Sequence, residues 1–173
     1  PNDTVTISKM AYGYSVELSP LQMLTFYNGI ANDGKMITPL IVKEIRKNGK
    51  VIEEFESSVI RSSICSDATL ESIRECLHDV VWNDTLGTAS VNPWGTRKAQ
   101  SDLVAIAGKT GTAQILEKGY NNRRHRMSFV GYFPEENPQY TCICVIHGPQ
   151  WPYDAGMDCG SVVRNIAEKT MAY

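Results

Sequence analysis

The sequence predicts an α+β fold in which one antiparallel sheet is covered by helices. Helical spacing of apolar residues recurs at three places, and three alternating apolar segments follow one another near the C-terminus. The 173 residues, 42% hydrophobic and 21% charged, suit one globular domain or a large piece of one. A net charge of -2 gives no reason to expect a nucleic-acid partner. No apolar run approaches the ~20 residues of a membrane helix, so no membrane contact is expected from this chain.

The first clear helix is predicted to begin after Ser19. Serine is a good N-cap, Pro20 suits the first helical position, and Gln22 completes a capping box. Asp33-Gly34 ends the run, because glycine tolerates the left-handed conformation that often follows a helix. The apolar positions of this helix are Leu21, Leu24, Tyr27, Ile30 and Ala31.

A β-hairpin is predicted next. The apolar runs Leu40–Ile45 and Val51–Phe55 flank the dipeptide Asn48-Gly49. Asn-Gly tolerates the positive φ angles of tight hairpin turns and is the strongest short-range hairpin signal.

A second helix is predicted to begin at Ser66 or Asp67. From Asn83 to Asp102 the helical pattern gives way to glycine, proline and small polar residues, which predict a long loop. Loops of this length inside a domain are often functional or mobile. The apolar face of the helix carries Leu70, Ile73, Leu77, Val80 and Val81.

The C-terminal half predicts three strands, Leu103–Ile115, Met127–Phe133 and Tyr140–His147. The connections at 119–122 and 134–138 are too short for helical crossovers, so we expect an antiparallel meander. A closing helix is predicted at about Gly160–Met171. It presents Val162, Val163, Ile166, Ala167 and Thr170.

The five cysteines constrain the fold weakly. Because their number is odd, at least one has no partner within the chain. We interpret them chiefly as small buried apolar residues and leave a disulfide open. No C-x-x-C spacing supports a metal site, so none is predicted. The five are Cys65, Cys76, Cys142, Cys144 and Cys159.

Residues 108–113, Gly-Lys-Thr-Gly-Thr-Ala, carry the most informative pattern. Gly-Lys-Thr at first resembles a phosphate-binding loop, but that motif requires a glycine where Leu103 stands. It also requires a helix to follow, whereas Thr110–Ile115 continues as a strand. The sequence therefore predicts no nucleotide and no other cofactor.

Alternation along this strand places Thr110 and Thr112 on one side and Lys109 and Gly111 on the other. Two hydroxyls with a nearby ammonium form a receptor for a carboxylate. Gly111 leaves room for another backbone to approach, and free N–H groups can pair with an extended peptide or point at an oxyanion. The pattern indicates the binding half of a peptide acyl-transfer site.

Several segments, in one order, resemble the C-terminal part of the transpeptidase domain of class B penicillin-binding proteins, the cell-wall cross-linking enzymes of bacteria. The resemblance covers nearly the whole chain and departs from the family at Ser161 and Val163, where proline and an aromatic residue are usual. It implies that residues 1–173 are the C-terminal portion of a single transpeptidase domain of the penicillin-binding-protein/serine β-lactamase-like fold. The matching segments are Tyr12-Gly13-Tyr14, Ser19–Met23, Asn28–Gly34, Ile106–Gln114 and Phe129–Tyr132 with Pro134.

The resemblance implies a serine enzyme that cross-links stem peptides ending in D-Ala-D-Ala and is acylated by β-lactams. Lys109 would place positive charge beside the serine of the family's S-x-N motif and favour binding of the substrate carboxylate. Thr110 and Thr112 would hydrogen-bond that carboxylate, and the Thr112 N–H would supply half of the oxyanion hole. The catalytic set is Lys109, Thr110, Gly111 and Thr112. The substrate-binding set is Lys109, Thr110, Thr112 and Ala113.

The family's other motifs, S-x-x-K and S-x-N, are expected upstream, so this chain alone should be inactive. Thr6-Ile7-Ser8-Lys9 has threonine in place of the serine and precedes Tyr12, where the resemblance places a loop. Ser90-Val91-Asn92 matches S-x-N in the wrong order. The resemblance also implies an extracytoplasmic location with an upstream anchor, and leaves a division or an elongation role and other cell-wall or division partners open.

Other interpretations rank below this one. His78, His125 and His147 are not paired with a serine at a glycine elbow, so no histidine triad is predicted. Arg123–Arg126 is interpreted as an exposed turn, with contact to an anionic wall polymer as a lesser alternative. A β-lactam sensor or a non-catalytic transpeptidase-like scaffold would share the Lys-Thr-Gly strand, as would a serine β-lactamase.

Overall fold

A computed structural model of the chain describes residues 4–11, 13, 16–115, 124–150 and 152–172. Helices and strands alternate irregularly along the chain. No helix among these residues combines the length and apolar character needed to cross a bilayer. In order, the elements are α1 (Thr4–Ala11), α2 (Pro20–Ala31), β1 (Met36–Ile37), β2 (Glu44–Lys47), β3 (Lys50–Glu54), β4 (Val59–Arg61), α3 (Asp67–Trp82), β5 (Ala107–Ile115), β6 (Arg124–Phe133), β7 (Tyr140–His147), a π-helical turn (Gly156–Gly160) and α4 (Ser161–Met171).

The main sheet is a three-stranded antiparallel meander in the order β5-β6-β7. Its register is unbroken from the pair Ala107 and Tyr132 to the pair Ile115 and Arg124. Among the described strands β5 pairs only with β6, which leaves β5 at an edge of the sheet. The predicted meander is confirmed, although β5 begins at Ala107 instead of Leu103.

Helices cover both faces of this sheet, so the predicted α+β class is confirmed. On one face α2 and α3 pack through Ile30 and Leu77 against Ala107 and Tyr132. On the other face Phe129 packs in a cluster with residues of the π-helical turn and α4. Because neighbouring residues of a strand point to opposite faces, β6 contributes to both layers.

The predicted capping of α2 is confirmed. The Ser19 hydroxyl accepts a hydrogen bond from the Gln22 N–H at 3.2 Å, and the Gln22 side chain accepts one from the Ser19 N–H at 2.8 Å. After the helix, Asp33 and Gly34 adopt φ angles of 49° and 79°. This left-handed pair turns the chain toward β1.

The hairpin prediction is also confirmed, with a shorter first strand. Asn48 and Gly49 form the two-residue turn between β2 and β3, with φ angles of 51° and 76°. The first strand begins at Glu44 instead of Leu40. The pairing of β1 with β4 was not predicted, because two or three residues are too few to show alternation.

Two expectations need correction. Thr6-Ile7-Ser8-Lys9 lies within α1 instead of a loop. In α4 only Val163 and Ala167 are fully buried, whereas Val162 and Ile166 are 40% and 42% exposed. A helix that lies on a sheet buries a stripe at four-residue spacing, so the two remaining apolar residues point away. The connection at 119–122 lies outside the described residues.

The loop between α3 and β5 is confirmed and is part of the core. It contains only an isolated bridge between Val91 and Arg97. Ala89, Ser90 and Ala99 are each fully buried. The loop therefore covers one side of the core, and its buried residues hold it in a fixed position next to β5.

All five cysteines are without disulfides. Cys159 is fully buried, and Cys142 and Cys144 pack against the same cluster. The interpretation as small apolar residues suits these three. It is wrong for Cys76, which is exposed on α3.

Substitution of Gly108 tests whether the close approach of β5 and β6 requires a residue without a side chain. A Cβ there would lie 2.5 Å from the Val130 carbonyl oxygen and 2.9 Å from the Gly131 Cα. Since these backbone atoms cannot move without opening the strand pair, Gly108→Ala is expected to lower the free energy of unfolding by ~1–3 kcal/mol in urea titration. The matched control is Gly111→Ala, where the Cβ meets only the rotatable Ser128 hydroxyl, at 2.6 Å. Equal losses for the two variants would contradict the argument.

Candidate active site

The Lys-Thr-Gly-Thr segment lies in the middle of the edge strand β5. Lys109, Thr112 and Ala113 are exposed, and Thr110 and Gly111 are half-buried. The segment is therefore accessible, in contrast to the strand's first two residues, which are buried. Its residues can meet a ligand without rearrangement of the sheet.

The open edge of β5 carries the backbone groups of the two threonines. Within β6, the carbonyls of His125 and Phe133 accept hydrogen bonds from residues that flank β7, so odd-numbered residues of β6 face β7. Even-numbered ones face β5, and the register pairs them with Lys109 and the other odd residues of that strand. The N–H and C=O groups of Thr110 and Thr112 therefore point to the free edge.

The two threonine side chains line one cavity of about 280 Å³. Lys109 does not line it, and its ammonium instead donates to the Thr110 carbonyl at 3.0 Å. The two hydroxyls thus share a side of the strand, as alternation requires. The remaining lining residues are Thr88, Lys98, Tyr153, Asp154, Ala155 and Gly156.

Thr88 connects the buried loop to the strand. Its hydroxyl lies 2.7 Å from the hydroxyl of Thr110. A hydroxyl donates one hydrogen bond and accepts two. When Thr88 is the donor, Thr110 keeps its own proton for a ligand, so Thr88 orients Thr110 without consuming its donor.

Lys98 is the lysine that lines the cavity, and the sequence analysis did not identify it. It is only 8% exposed, and its ammonium donates to the Thr88 carbonyl at 3.1 Å and to the Asp154 carboxylate at 2.8 Å. No motif surrounds this lysine, and a single lysine in a polar loop is normally on the surface. Only burial distinguishes it, and burial of a loop residue is not visible in the sequence.

The ion pair with Lys98 helps to lower the pKa of the Asp154 carboxyl. Partial burial by itself would raise the pKa of the Asp154 carboxyl. The hydrogen bond from Lys98, the backbone N–H groups of Met157 and Gly156 and the lysine's charge outweigh burial and lower the pKa below its ordinary value of 3.8. Asp154 therefore stays ionised beside the threonines.

Gly111 has a different environment from the one expected. The space beside it holds the Ser128 hydroxyl of β6, 2.6 Å from the position of a Cβ. Room for an approaching backbone is therefore not what glycine supplies at 111. The close backbone approach occurs at Gly108.

Within the described residues, the histidines form no triad with a serine. His78 pairs with Glu135 at 2.8 Å, and His125 with the Tyr153 hydroxyl at 2.5 Å. His147 accepts a hydrogen bond from Arg126 at 3.4 Å. The residue Arg123 of the predicted basic turn lies outside the described residues.

Ser90 and Asn92, which match S-x-N, shape the loop. Ser90 is fully buried and donates its hydroxyl proton to the Gly87 carbonyl at 2.9 Å. The Asn92 side chain accepts from the N–H groups of Trp94 and Thr96. Both residues are therefore engaged in local turns.

Known proteins match this chain throughout. The family model described as penicillin binding protein transpeptidase domain matches residues 1–172. The chain is 29% identical over 173 residues to the peptidoglycan D,D-transpeptidase FtsI homolog of Mesostigma viride. This match covers 91% of this chain and 27% of that protein. It is 31% identical over 169 residues to penicillin-binding protein PbpB of Mycolicibacterium smegmatis, covering 94% and 25%. Penicillin-binding protein 2X of Streptococcus thermophilus has the same fold, with a TM-score of 0.84 at 22% identity over 99% of this chain and 26% of that one.

The chain therefore belongs to the penicillin-binding protein transpeptidase domain family. It spans about a quarter of the length of the curated relatives it matches, 27% and 25% for the two above. The family resemblance drawn from the motifs is confirmed.

Lys98→Met tests the buried ion pair while keeping an aliphatic side chain. At neutral pH the variant is expected to lose ~0.5–1 kcal/mol of unfolding free energy, because it loses the ion pair with Asp154, which solvent partly screens, and the hydrogen bond to the Thr88 carbonyl. The folded-state pKa of Asp154 is lowered, so the ionised carboxylate contributes to the free energy of unfolding. This contribution is fully present above the ordinary pKa of 3.8 and is lost as the pH falls through the lowered pKa.

Urea unfolding over a pH series measures this effect. The wild-type stability should approach that of Lys98→Met as the solution becomes acidic. The exposed Lys43 supplies the control substitution Lys43→Met, which should leave both stability and pH dependence unchanged. Parallel pH profiles for wild type and Lys98→Met would contradict the role of the pair.

Proposed function

We propose that this chain supplies the substrate-binding strand of a peptidoglycan D,D-transpeptidase. The observation that carries the proposal is the edge strand β5, with two hydroxyls over one cavity and the backbone groups of Thr110 and Thr112 pointing to its open rim. An extended peptide can pair with such an edge, and its carboxylate can be held by the hydroxyls. The family supports this substrate, because its relatives include a protein named as a peptidoglycan D,D-transpeptidase.

The reaction proceeds by covalent catalysis in two steps. A serine outside residues 1–173 attacks the carbonyl of the penultimate D-Ala, the amide C–N bond breaks, and the terminal D-Ala leaves as an amine that takes up a proton. The resulting ester is attacked by an amine of a second stem peptide, which forms the cross-link and restores the serine. A β-lactam acylates the same serine by opening its ring amide and retains its leaving group.

The residues of β5 act on the binding and charge-stabilising sides of this reaction. Thr110 and Thr112 hold the terminal carboxylate, and the Thr112 N–H stabilises the negative oxygen of the tetrahedral intermediate. Lys109 places a positive charge next to the serine of the S-x-N motif and favours carboxylate binding. Gly111 and Ala113 complete the strand that aligns the peptide.

The proposed function sets location and partners. A donor stem peptide lies outside the cytoplasmic membrane, so the full-length protein acts on its outer face through an upstream anchor. Its ligands are D-Ala-D-Ala stem peptides and β-lactams, and division or cell-wall proteins are its macromolecular partners. The support for these assignments is the family itself.

Mapping a labelled residue tests the missing nucleophile. When the full-length protein is incubated with a fluorescent penicillin and then digested, mass spectrometry is expected to find the label on a serine outside residues 1–173. A label on any serine of this chain would contradict the assignment. A second measurement, the release of D-Ala from a stem-peptide donor, separates the enzyme from the alternatives. The proposed enzyme releases D-Ala, whereas a sensor or a scaffold would not.

Thr112→Val tests carboxylate binding, because it removes the hydroxyl and keeps the backbone N–H. The second-order rate of acylation by labelled penicillin in the full-length protein is expected to fall roughly 10- to 100-fold, the effect of losing one hydrogen bond to a charged group. The conservative variant Thr112→Ser keeps the hydroxyl and should remain within a few-fold of wild type. Unchanged acylation by Thr112→Val would refute the hydroxyl's role.

A further inference from the structure

A large groove lies on the side of the molecule that carries α3, away from the threonines. It has a volume of about 1110 Å³ and runs between the end of α2, the outer surface of α3 and the turn after β6. Of the described residues, seven carboxylates line it, against one arginine and one histidine. The groove is therefore strongly anionic, in a chain whose net charge is only -2.

Four of these carboxylates form a stripe along α3. Asp67, Glu71, Glu75 and Asp79 follow one another at four-residue intervals, so each lies one turn from the next. Like charges at this spacing destabilise a helix, and Asp79 in the last turn also opposes the helix dipole. In the described part of the chain, none of the four forms a salt bridge. Asp67, in the first turn, is favoured by the helix dipole, but the repulsion among the other three carboxylates is not relieved by a salt bridge within the described residues.

Arg74, the arginine that lines the groove, forms its hydrogen bonds with the end of α2 and not with the carboxylates of α3. The Arg74 guanidinium donates to the carbonyls of Ile30 and Ala31 at 2.6 and 3.1 Å and to Asp33 at 3.0 Å. It thus binds the C-terminal end of α2 and closes one end of the groove. His78 is likewise paired with Glu135.

Tyr132 provides a second, independent observation. It is 1% exposed and lines the groove, and its hydroxyl has no hydrogen-bond partner among the residues that the structure describes. Burial, together with the charge of Glu135, raises its pKa to about 12, so the hydroxyl keeps its proton. Buried hydroxyls normally have partners, and this one lacks a partner beside a row of uncompensated carboxylates.

We propose that this groove, formed by the α3 stripe and Tyr132, docks a basic peptide segment and that an arginine of the segment reaches the tyrosine hydroxyl. A guanidinium has five N–H donors and no acceptor. It can therefore donate to the tyrosine oxygen and to several carboxylates at the same time. Its aliphatic stem packs on Leu70, which also lines the groove. A metal ion is a poorer fit, because the described residues contain no cluster of three or more ligands.

The probe is an acetylated, fluorescein-labelled hexa-arginine amide, and the readout is fluorescence anisotropy with the full-length protein at low salt. Saturable binding is expected. The double substitution Glu71→Gln and Glu75→Gln should weaken it roughly five-fold or more, as loss of two charge pairs requires. The same variant should unfold at an equal or higher temperature, because a repulsive pair has been removed. If the carboxylates served only to stabilise the fold, their removal would lower the unfolding temperature. Weaker peptide binding without loss of thermal stability therefore indicates a binding role.

The matched control is Glu53→Gln with Glu54→Gln, which removes two exposed carboxylates from β3. This control should leave the affinity within about two-fold, and an equal loss would show diffuse attraction and overturn the proposal. Absence of saturable binding would also overturn it. Tyr132→Phe removes only the unpartnered hydroxyl and should weaken the peptide about three-fold or more without loss of thermal stability. Unchanged affinity in that variant, or equal affinity for hexalysine, would overturn the arginine–tyrosine contact.

Discussion

The one-sided pairing of β5 is the constraint on which the candidate site depends. β6 approaches so closely at Gly108 and Gly131 that neither position has room for a side chain. That contact fixes the register, and the register decides which backbone groups are left over. A slip of one residue would turn Thr110 and Thr112 toward β6 and would present Lys109 and Gly111 to the cavity. The chemistry of the rim is therefore set by packing inside the sheet.

The long loop between α3 and β5 provides the second level of support. Its buried small residues attach it to the core, and from there it holds Thr88 against Thr110. Trp82, at the end of α3, adds a hydrogen bond to the Ile106 carbonyl just before the strand. The rim is thus held by β6 within the sheet and by the loop and α3 next to it. Such bracing keeps the two hydroxyls preorganised for a ligand.

The sequence predicted what depends on local patterns. The capping box at Ser19, the Asn48-Gly49 turn and the three strands each have signals within a few residues, and the structure confirms them. The Lys-Thr-Gly-Thr segment was recognisable for the same reason. The environment of Lys98 was not, because its partner Asp154 is 56 positions away and only the fold brings them together. Val162 and Ile166 were misassigned because apolar character alone does not tell which stripe of α4 is buried.

The span of the Lys98–Asp154 pair also affects the order in which the molecule is completed. Asp154 follows the last strand, so its carboxylate arrives only after the whole sheet has been synthesised. Until then the ammonium near Thr88 has no counter-ion, and the loop lacks one of its anchors. A nascent chain that stops after β7 thus has every residue of the binding strand but an unfinished support for it. Completion of the site therefore waits for a segment that follows the sheet and lines the same cavity as the two threonines.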